Sequence, residues 1–458
     1  MQPGPELPAW LGFEMGDKER FLEKCGELAE YALSWDSPTV INHFDCDGIT
    51  SGSIAVEALR RAGKKPKVLT LKKIDDDYIN VNLVGKNELL FVDFGGTCKS
   101  IDQIKDAAII DHHQTEGTKT LQANPQLHGF DGGREISSAG VAHLVFGVRE
   151  DLAIVGAVGD VQAPLVSLNR EILHEAEKKG TVEARLDLKA YGKNTRSLAV
   201  FLTYSDEPYL PGITGNEEAS VALLEQAGLK NKPFETTYND LPENEKSALR
   251  AAIVEYLSRS GFAGVSADLF GECYILKNQP EKSELRDASE FSTLLNACGR
   301  NGRFEVGMGV CLGEPGALDT AKEILAQHKK NLQLGIQYAS KHTTDMGEFY
   351  LIDGRGQISD TIIGVVAGMI GTYRRDKPIL ALSIDEEGKI KVSGRAKEHM
   401  IKEGINLGMA LKASAGAIGG VGGGHRQAAG ASLPIGKTEE FLVLFGEKLC
   451  EQKTAQAP

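Results

Sequence analysis

The strongest constraint on this chain is a repeated layout in its first third. Apolar or β-branched runs of strand length alternate with helical periodicity, and three of them lead straight into an acid or an imidazole. The runs are 39–42 (TVIN), 67–71 (KVLTL), 88–92 (ELLFV) and 107–110 (AAII), with a helical pattern at 51–62. Strands alternating with helices predict a mainly parallel sheet covered on both faces. His43, Asp93 and Asp111 then sit where three strands end, and the carboxyl edge of an open α/β sheet is where ligands bind.

The rest of the chain reads as follows. Residues 14–34 form an amphipathic helix, and 138–146 and 151–158 form buried helices rich in small residues. From about 168 to 340 the segments are helical and charged, for example 171–179 and 243–258, with a Pro/Gly-marked loop at 208–215 and one long helix at 319–340. A second α/β pattern follows: a strand at 348–352, a helix at 361–371 capped by Asp360, and strands at 379–384 and 389–393 framing the turn DEEG. A helix at 405–415, a glycine-rich turn, a strand at 431–433 and a helix at 438–450 close it, and the tail QKTAQAP frays. The expected architecture is α/β in three parts: a mainly parallel N-terminal domain at 1–215, a helical middle region and connector at 216–342, and a smaller α/β domain at 343–458, with the active site in a cleft between lobes.

Charge narrows the function. Lys plus Arg is 51 and Asp plus Glu is 64, a net charge of −13, so any polyanion site is a local patch. The longest apolar stretches, such as 361–370, fall short of the ~18–20 residues a membrane helix needs. The start, MQPGPELPAW, shows no secretory pattern. Seven scattered cysteines without a C-x-x-C pair fit reduced thiols. A cytoplasmic protein without a membrane partner is expected.

The most informative stretch is NHFDCDGITSG at 42–52. If it is extended, His43, Asp45 and Asp47 point to one side and Cys46 to the other. Gly48 permits a turn, and Thr50 or Ser51 caps the next helix, whose N-terminus faces the same site and favours a phosphate oxygen. By itself the stretch is equally an ordinary polar turn. However, Asp45, Asp47, Asp93, Asp111 and Asp160 all adjoin buried apolar runs, with His43, His112 and His113 among them. Gly156, Ala157 and Gly159, just before Asp160, let backbone segments come close. Crowded carboxylates repel, and a cation compensates them. Carboxylate and imidazole donors without a thiolate suit Mn²⁺ or Mg²⁺. Two ions about 3.5–4 Å apart, bridged by one carboxylate, serve phosphoester hydrolysis.

In order and approximate spacing, HxDxDG (43–48), Asp93, the DHH triplet 111–113 and Asp160 resemble the DHH phosphoesterase superfamily. The cluster GVGGGHRQAAGA (420–431) resembles the GGGHxxAAG signature of the attached DHHA1 domain. Residues 190–215 and 290–300 resemble the archaeal RecJ-like branch, which includes the GINS-associated nuclease. The resemblance makes 1–215 the DHH domain and 343–458 a substrate-binding DHHA1 domain. It implies one metal on His43, Asp45 and Asp93, and another on Asp47, Asp93, His112 and Asp160. His113 would touch the scissile phosphate and protonate the leaving group, with Asp111 orienting a histidine.

In the C-terminal part, the backbone N–H groups of Gly422, Gly423 and Gly424 with His425 can cradle a phosphate or a terminal nucleotide. The same stretch could equally be a flexible turn. Arg395 is suited to grip a phosphate bidentately, and the resemblance places Arg395 and His425 on substrate. Residues 371–402 hold eight Lys/Arg against five Asp/Glu, a local +3. The expected function is a two-metal Mn²⁺ or Mg²⁺ exonuclease that degrades single-stranded DNA or RNA to mononucleotides. GINS of the replisome is a compatible partner, docked on the helical middle region. Two alternatives stand beside it: a phosphodiesterase for short oligonucleotides or cyclic dinucleotides, and a GINS-binding replication scaffold.

Overall fold

The computed structural model describes residues 15–115, 117–205, 210–232, 234–263 and 269–454. The readings of MQPGPELPAW, Glu14, Pro208 and AQAP lie outside them. The described residues divide into two units, one within Met1–Leu188 and Gly271–Leu325, the other within Lys189–Phe270 and Ala326–Pro458.

The first unit is built on a five-stranded sheet: β1 (Thr39–His43), β2 (Lys67–Leu71), β3 (Leu89–Val92), β4 (Ala107–Ile110) and β5 (Leu121–Ala123). The order is β2-β1-β3-β4-β5 and every pairing is parallel. Residues of β3 and β4 are buried throughout, which explains their unbroken apolar runs. The chain leaves β1 in one direction to β2 and later returns on its other side to β3. That makes the β1–β3 boundary a topological switch point, the place where such sheets open a crevice at their carboxyl ends. Asn42 pairs with Val92 and Val92 with Ile110. His43, Asp93 and Asp111 therefore follow in adjacent rows at that edge.

The Cys46–Arg61 helix packs against helices Ser138–Phe146, Glu150–Gly159 and Ala288–Arg300. The middle stretch is mostly helical but includes β6 (Val182–Leu188) and β7 (Phe270–Leu276), which pair with each other. Helices Ala288–Arg300 and Phe304–Cys311 belong to the first unit. Helix Ala317–His342 is the expected long one.

The second unit carries a six-stranded mixed sheet of β8 (Thr343–Asp345), β9 (Tyr350–Asp353), β10 (Ile379–Ile384), β11 (Ile390–Arg395), β12 (Val421–Gly424) and β13 (Ala428–Leu433), in the order β12-β13-β11-β10-β9-β8. Alternation along β10 feeds two cores: Leu380 and Leu382 join Phe441 and Phe445 on one face, while Ile379 and Ala381 join Ile363 and Val366 on the other. Two local expectations are corrected here. The helix expected at 361 begins at Ile363 with Ile362 as its N-cap, so Asp360 does not cap it. The glycine-rich segment is an edge strand, β12, rather than a turn.

Candidate metal centre

The extended reading of 43–47 is overturned, although its three residues still converge. The strand ends at His43, Asp45 is the N-cap of the Cys46–Arg61 helix, and Asp47 sits in its first turn. The Asp45 side chain accepts the Gly48 N–H at 3.0 Å. Thr50 and Ser51 bond back to carbonyls of residues 46–48 and cap nothing. A carboxylate at the cap gains from the free N–H groups and dipole of the helix start, which is why the helix begins five residues earlier than periodicity suggested. Cys46 faces away, its Sγ 3.6 Å from the Val155 carbonyl oxygen.

At the sheet edge, His43 Nδ1 lies 3.0 Å from Asp45 Oδ2 and 3.3 Å from Asp93 Oδ2. His112 Nε2 lies 3.5 Å from Asp93 Oδ1 and 3.8 Å from Asp47 Oδ2, and His112 Nδ1 is 3.8 Å from Asp160 Oδ2. Ligand atoms come within 4.8 Å of one another in three overlapping groups: His43/Asp45/Asp93, Asp47/His112/Asp160 and Asp93/His112/His113. Asp93 and His112 each belong to two of them.

Asp47, His112 and His113 are held from behind. Asp47 accepts the backbone N–H of Ser138 at 2.7 Å and of Ala139 at 2.9 Å, at the start of a helix. His112 Nδ1 donates to the Gly132 carbonyl at 2.7 Å, which leaves the Nε2 lone pair facing the acids. Asp111 Oδ1 accepts from His113 Nδ1 at 2.8 Å and from the His112 N–H at 2.8 Å, while its Oδ2 takes the Gly96 N–H at 3.1 Å. Asp111 therefore orients histidines and stays out of the acidic groups. Gly156 makes the closeness possible, because a Cβ there would lie 2.4 Å from Ala139 Cβ and 2.6 Å from Asp47 Oδ1.

The electrostatics are those of a crowded anionic cluster that its histidines offset only in part. Burial pushes Asp93 well above the usual carboxylate range, helped by Asp47 and Asp45. Burial also pushes Asp160 up to about 7, opposed by His112 and aided by Asp47, and it raises Asp47. Burial disfavours the charged forms of His43 and His112, yet the acids around them raise both. Asp111 stays low despite burial because His113 bonds it. His43 Nδ1 and Asp93 Oδ1 are buried without an aligned hydrogen bond. Carboxylate oxygens and imidazole nitrogens gathered around crowded acids are the donor set of a hard or borderline divalent cation, and Mn²⁺ or Mg²⁺ fits it.

The remaining predicted residues lie in the second unit. Arg395 ends β11 and pairs with Ala428, while Gly424 pairs with Ala429. The register thus sets Arg395 and the β12 glycines on either side of the start of β13, with His425 in the connection. Sequence reasoning missed Gln162, Gly132 and Gly96, which position acids and histidines through neutral amides and carbonyls. The available signal for Gln162 was a lone polar residue in the run VQAPLV.

Family models match three segments: "DHH family, N-terminal domain" over residues 38–154, "DHH-CID domain" over 190–269 and "DHHA1 domain" over 347–450. The uncharacterized protein MJ0831 of Methanocaldococcus jannaschii is 31% identical over 432 residues, covering 90% of this chain and 93% of its own. Among solved structures, CDC45 from Entamoeba histolytica matches with a TM-score of 0.62 at 13% identity, over 94% of this chain and 99% of that one. RecJ from Thermus thermophilus, in complex with Mn²⁺, matches with a TM-score of 0.59 at 17% identity over 94% of this chain, which spans only 55% of that RecJ. The chain belongs to the DHH/DHHA1 superfamily of phosphoesterases, which are generally metal-dependent hydrolases, and it shares its fold with RecJ.

Proposed function

We propose that this protein is a Mn²⁺- or Mg²⁺-dependent exonuclease that hydrolyses single-stranded DNA or RNA to mononucleotides. The observation that carries the reading is the overlap of the three histidine–carboxylate groups through Asp93 and His112. His43, Asp45 and Asp93 would hold one ion, and Asp47, Asp93, His112 and Asp160 the other. Bound there, the pair supplies water activation and charge for the phosphoryl and leaving oxygens. Asp111 holds His113 through Nδ1 and, against burial, raises its pKa, which favours the protonated imidazole that would hand a proton from Nε2 to the leaving oxygen. Arg395 would grip a phosphate and the Gly423–Gly424–His425 segment a neighbouring nucleotide, in the domain with the locally basic stretch.

The replisome link is part of this proposal, supported by the fold shared with CDC45. Purified GINS is expected to retain the chain in a pull-down, and its failure to do so would remove that link alone. The test of the activity is digestion of end-labelled single-stranded DNA and RNA with Mn²⁺ or Mg²⁺. Stepwise release of mononucleotides is expected, whereas cleavage confined to dinucleotides would make it a small-substrate phosphodiesterase.

A further inference from the structure

Gln162 follows the Glu150–Gly159 helix, two residues after Asp160, and is only 3% exposed. Its Nε2 donates to Asp160 Oδ2 at 2.8 Å and to the Gly132 carbonyl oxygen at 2.8 Å. That same carbonyl accepts His112 Nδ1 at 2.7 Å. On its other side, Gln162 Oε1 accepts Asn169 Nδ2 at 2.6 Å. A carboxylate and a carbonyl can only accept, so the amide has one satisfying orientation.

The chain gives something up to place this amide. Val161, between Asp160 and Gln162, has φ +61° and is 84% exposed. It closes the preceding helix where glycine is usual, and the Gln162 N–H returns to the Ala157 carbonyl at 3.0 Å. A β-branched residue in the left-handed region is strained, and its exposed side chain adds little burial in return. What the turn achieves is the placement of its two neighbours. The choice of side chain is also chemical. A lysine at 162 would bond the same two oxygens but compete with a cation for their charge, whereas a neutral amide orients both and leaves the charge uncompensated.

We propose that Gln162 is a positioning residue for one of the two ion sites: by fixing Asp160 directly and His112 through the Gly132 carbonyl, it sets the divalent-cation affinity of the Asp47/His112/Asp160 group and leaves His43/Asp45/Asp93 unaffected. The inference rests on the metal reading above.

Mn²⁺ binding to the metal-free full-length protein, followed by titration calorimetry, tests it. The wild type is expected to take up two ions. In Gln162→Met, which keeps the side chain's length, one ion is expected to bind about 10–100-fold more weakly and the other with unchanged affinity, with thermal melting of the metal-free protein near that of the wild type. Should the single variant fail to fold because Asn169 loses its acceptor, Gln162→Met/Asn169→Leu removes both partners together and is expected to lose affinity at the same single site. Two ions held at wild-type affinity in a folded variant would overturn the inference while the metal reading stands, as would equal weakening of both. A wild type that takes up no ion would overturn both.

Discussion

Asp93 stands apart from every other acid among the described residues. It is buried, it has φ +68°, and its Oδ1 lacks an aligned hydrogen-bond partner. Asparagine tolerates the left-handed region as aspartate does and removes only the charge. Asp93→Asn is therefore expected to leave the metal-free protein as stable as the wild type or more so, read by thermal melting. Hydrolysis should fall on the order of 10³-fold, since the residue shared between two groups is the one lost. The carboxyls also set a pH signature. Asp160 is raised from 3.8 to about 7 by burial first, with Asp47 adding to it. A raised carboxyl binds its proton more tightly in the folded state, so its stabilising contribution is complete below about pH 4 and is lost as pH rises through about 7. The metal-free wild type should lose more melting temperature between pH 5 and pH 8 than Asp160→Asn does, and parallel pH profiles would contradict the assignment.

Among elements, the helices around Asp47 and the glycine strand β12 show how packing decides what a sequence reveals. Gly156 brings one helix against Ala139 and Asp47, and Gly156→Ala is expected to destabilise by about 1–3 kcal/mol through overpacking, measured by denaturant unfolding. In β12, a Cβ at Gly422 would lie 2.5 Å from the Leu411 carbonyl oxygen and one at Gly424 2.7 Å from Ala429 Cα, whereas one at Gly423 meets nothing within 4 Å. Gly422 and Gly424 are thus required by packing, and Gly423 leaves open space. Gly423→Ala should fold with wild-type stability and weaken substrate binding, whereas unchanged binding would remove Gly423 from the proposed site. This packing role is invisible in GVGGGH, which reads as a turn because glycine is a poor strand former. Strands β3 and β4 were legible because buried parallel strands announce themselves as unbroken apolar runs, whereas the three-residue β5 was not read, and His43, Asp93 and Asp111 were legible because they end strand-length runs. Asp45 and Asp47 were picked out for an incorrect local reason, since alternation along a strand and the first turn of a capped helix look alike over five residues. Gly132 was not legible and Gln162 only as a lone polar residue in an apolar run, because a neutral amide and a carbonyl acquire their roles only when distant segments meet.

For the molecule as a whole, a net charge of −13 has to be reconciled with the polyanionic substrate proposed above. Exposed charges more than about 10 Å apart are largely screened at 0.1 M salt, so the global repulsion acts mainly on approach at low ionic strength. Binding then depends on the few cations that touch phosphate. Each such contact on a single strand contributes about 0.7 to the slope of log affinity against log salt. A shallow slope is therefore expected for the wild type, in contrast to a protein coated with lysines. Arg395→Ala should reduce that slope by about 0.7 and raise KM more than it lowers kcat, because the interaction is made equally with substrate and transition state. Arg395→Lys separates charge from geometry: it keeps the cation and so the slope, but loses the planar fork proposed to grip two phosphate oxygens, so affinity should still fall. A lysine variant that binds as tightly as the wild type would reduce Arg395 to a point charge, and an alanine variant with an unchanged slope would take it off the phosphate altogether.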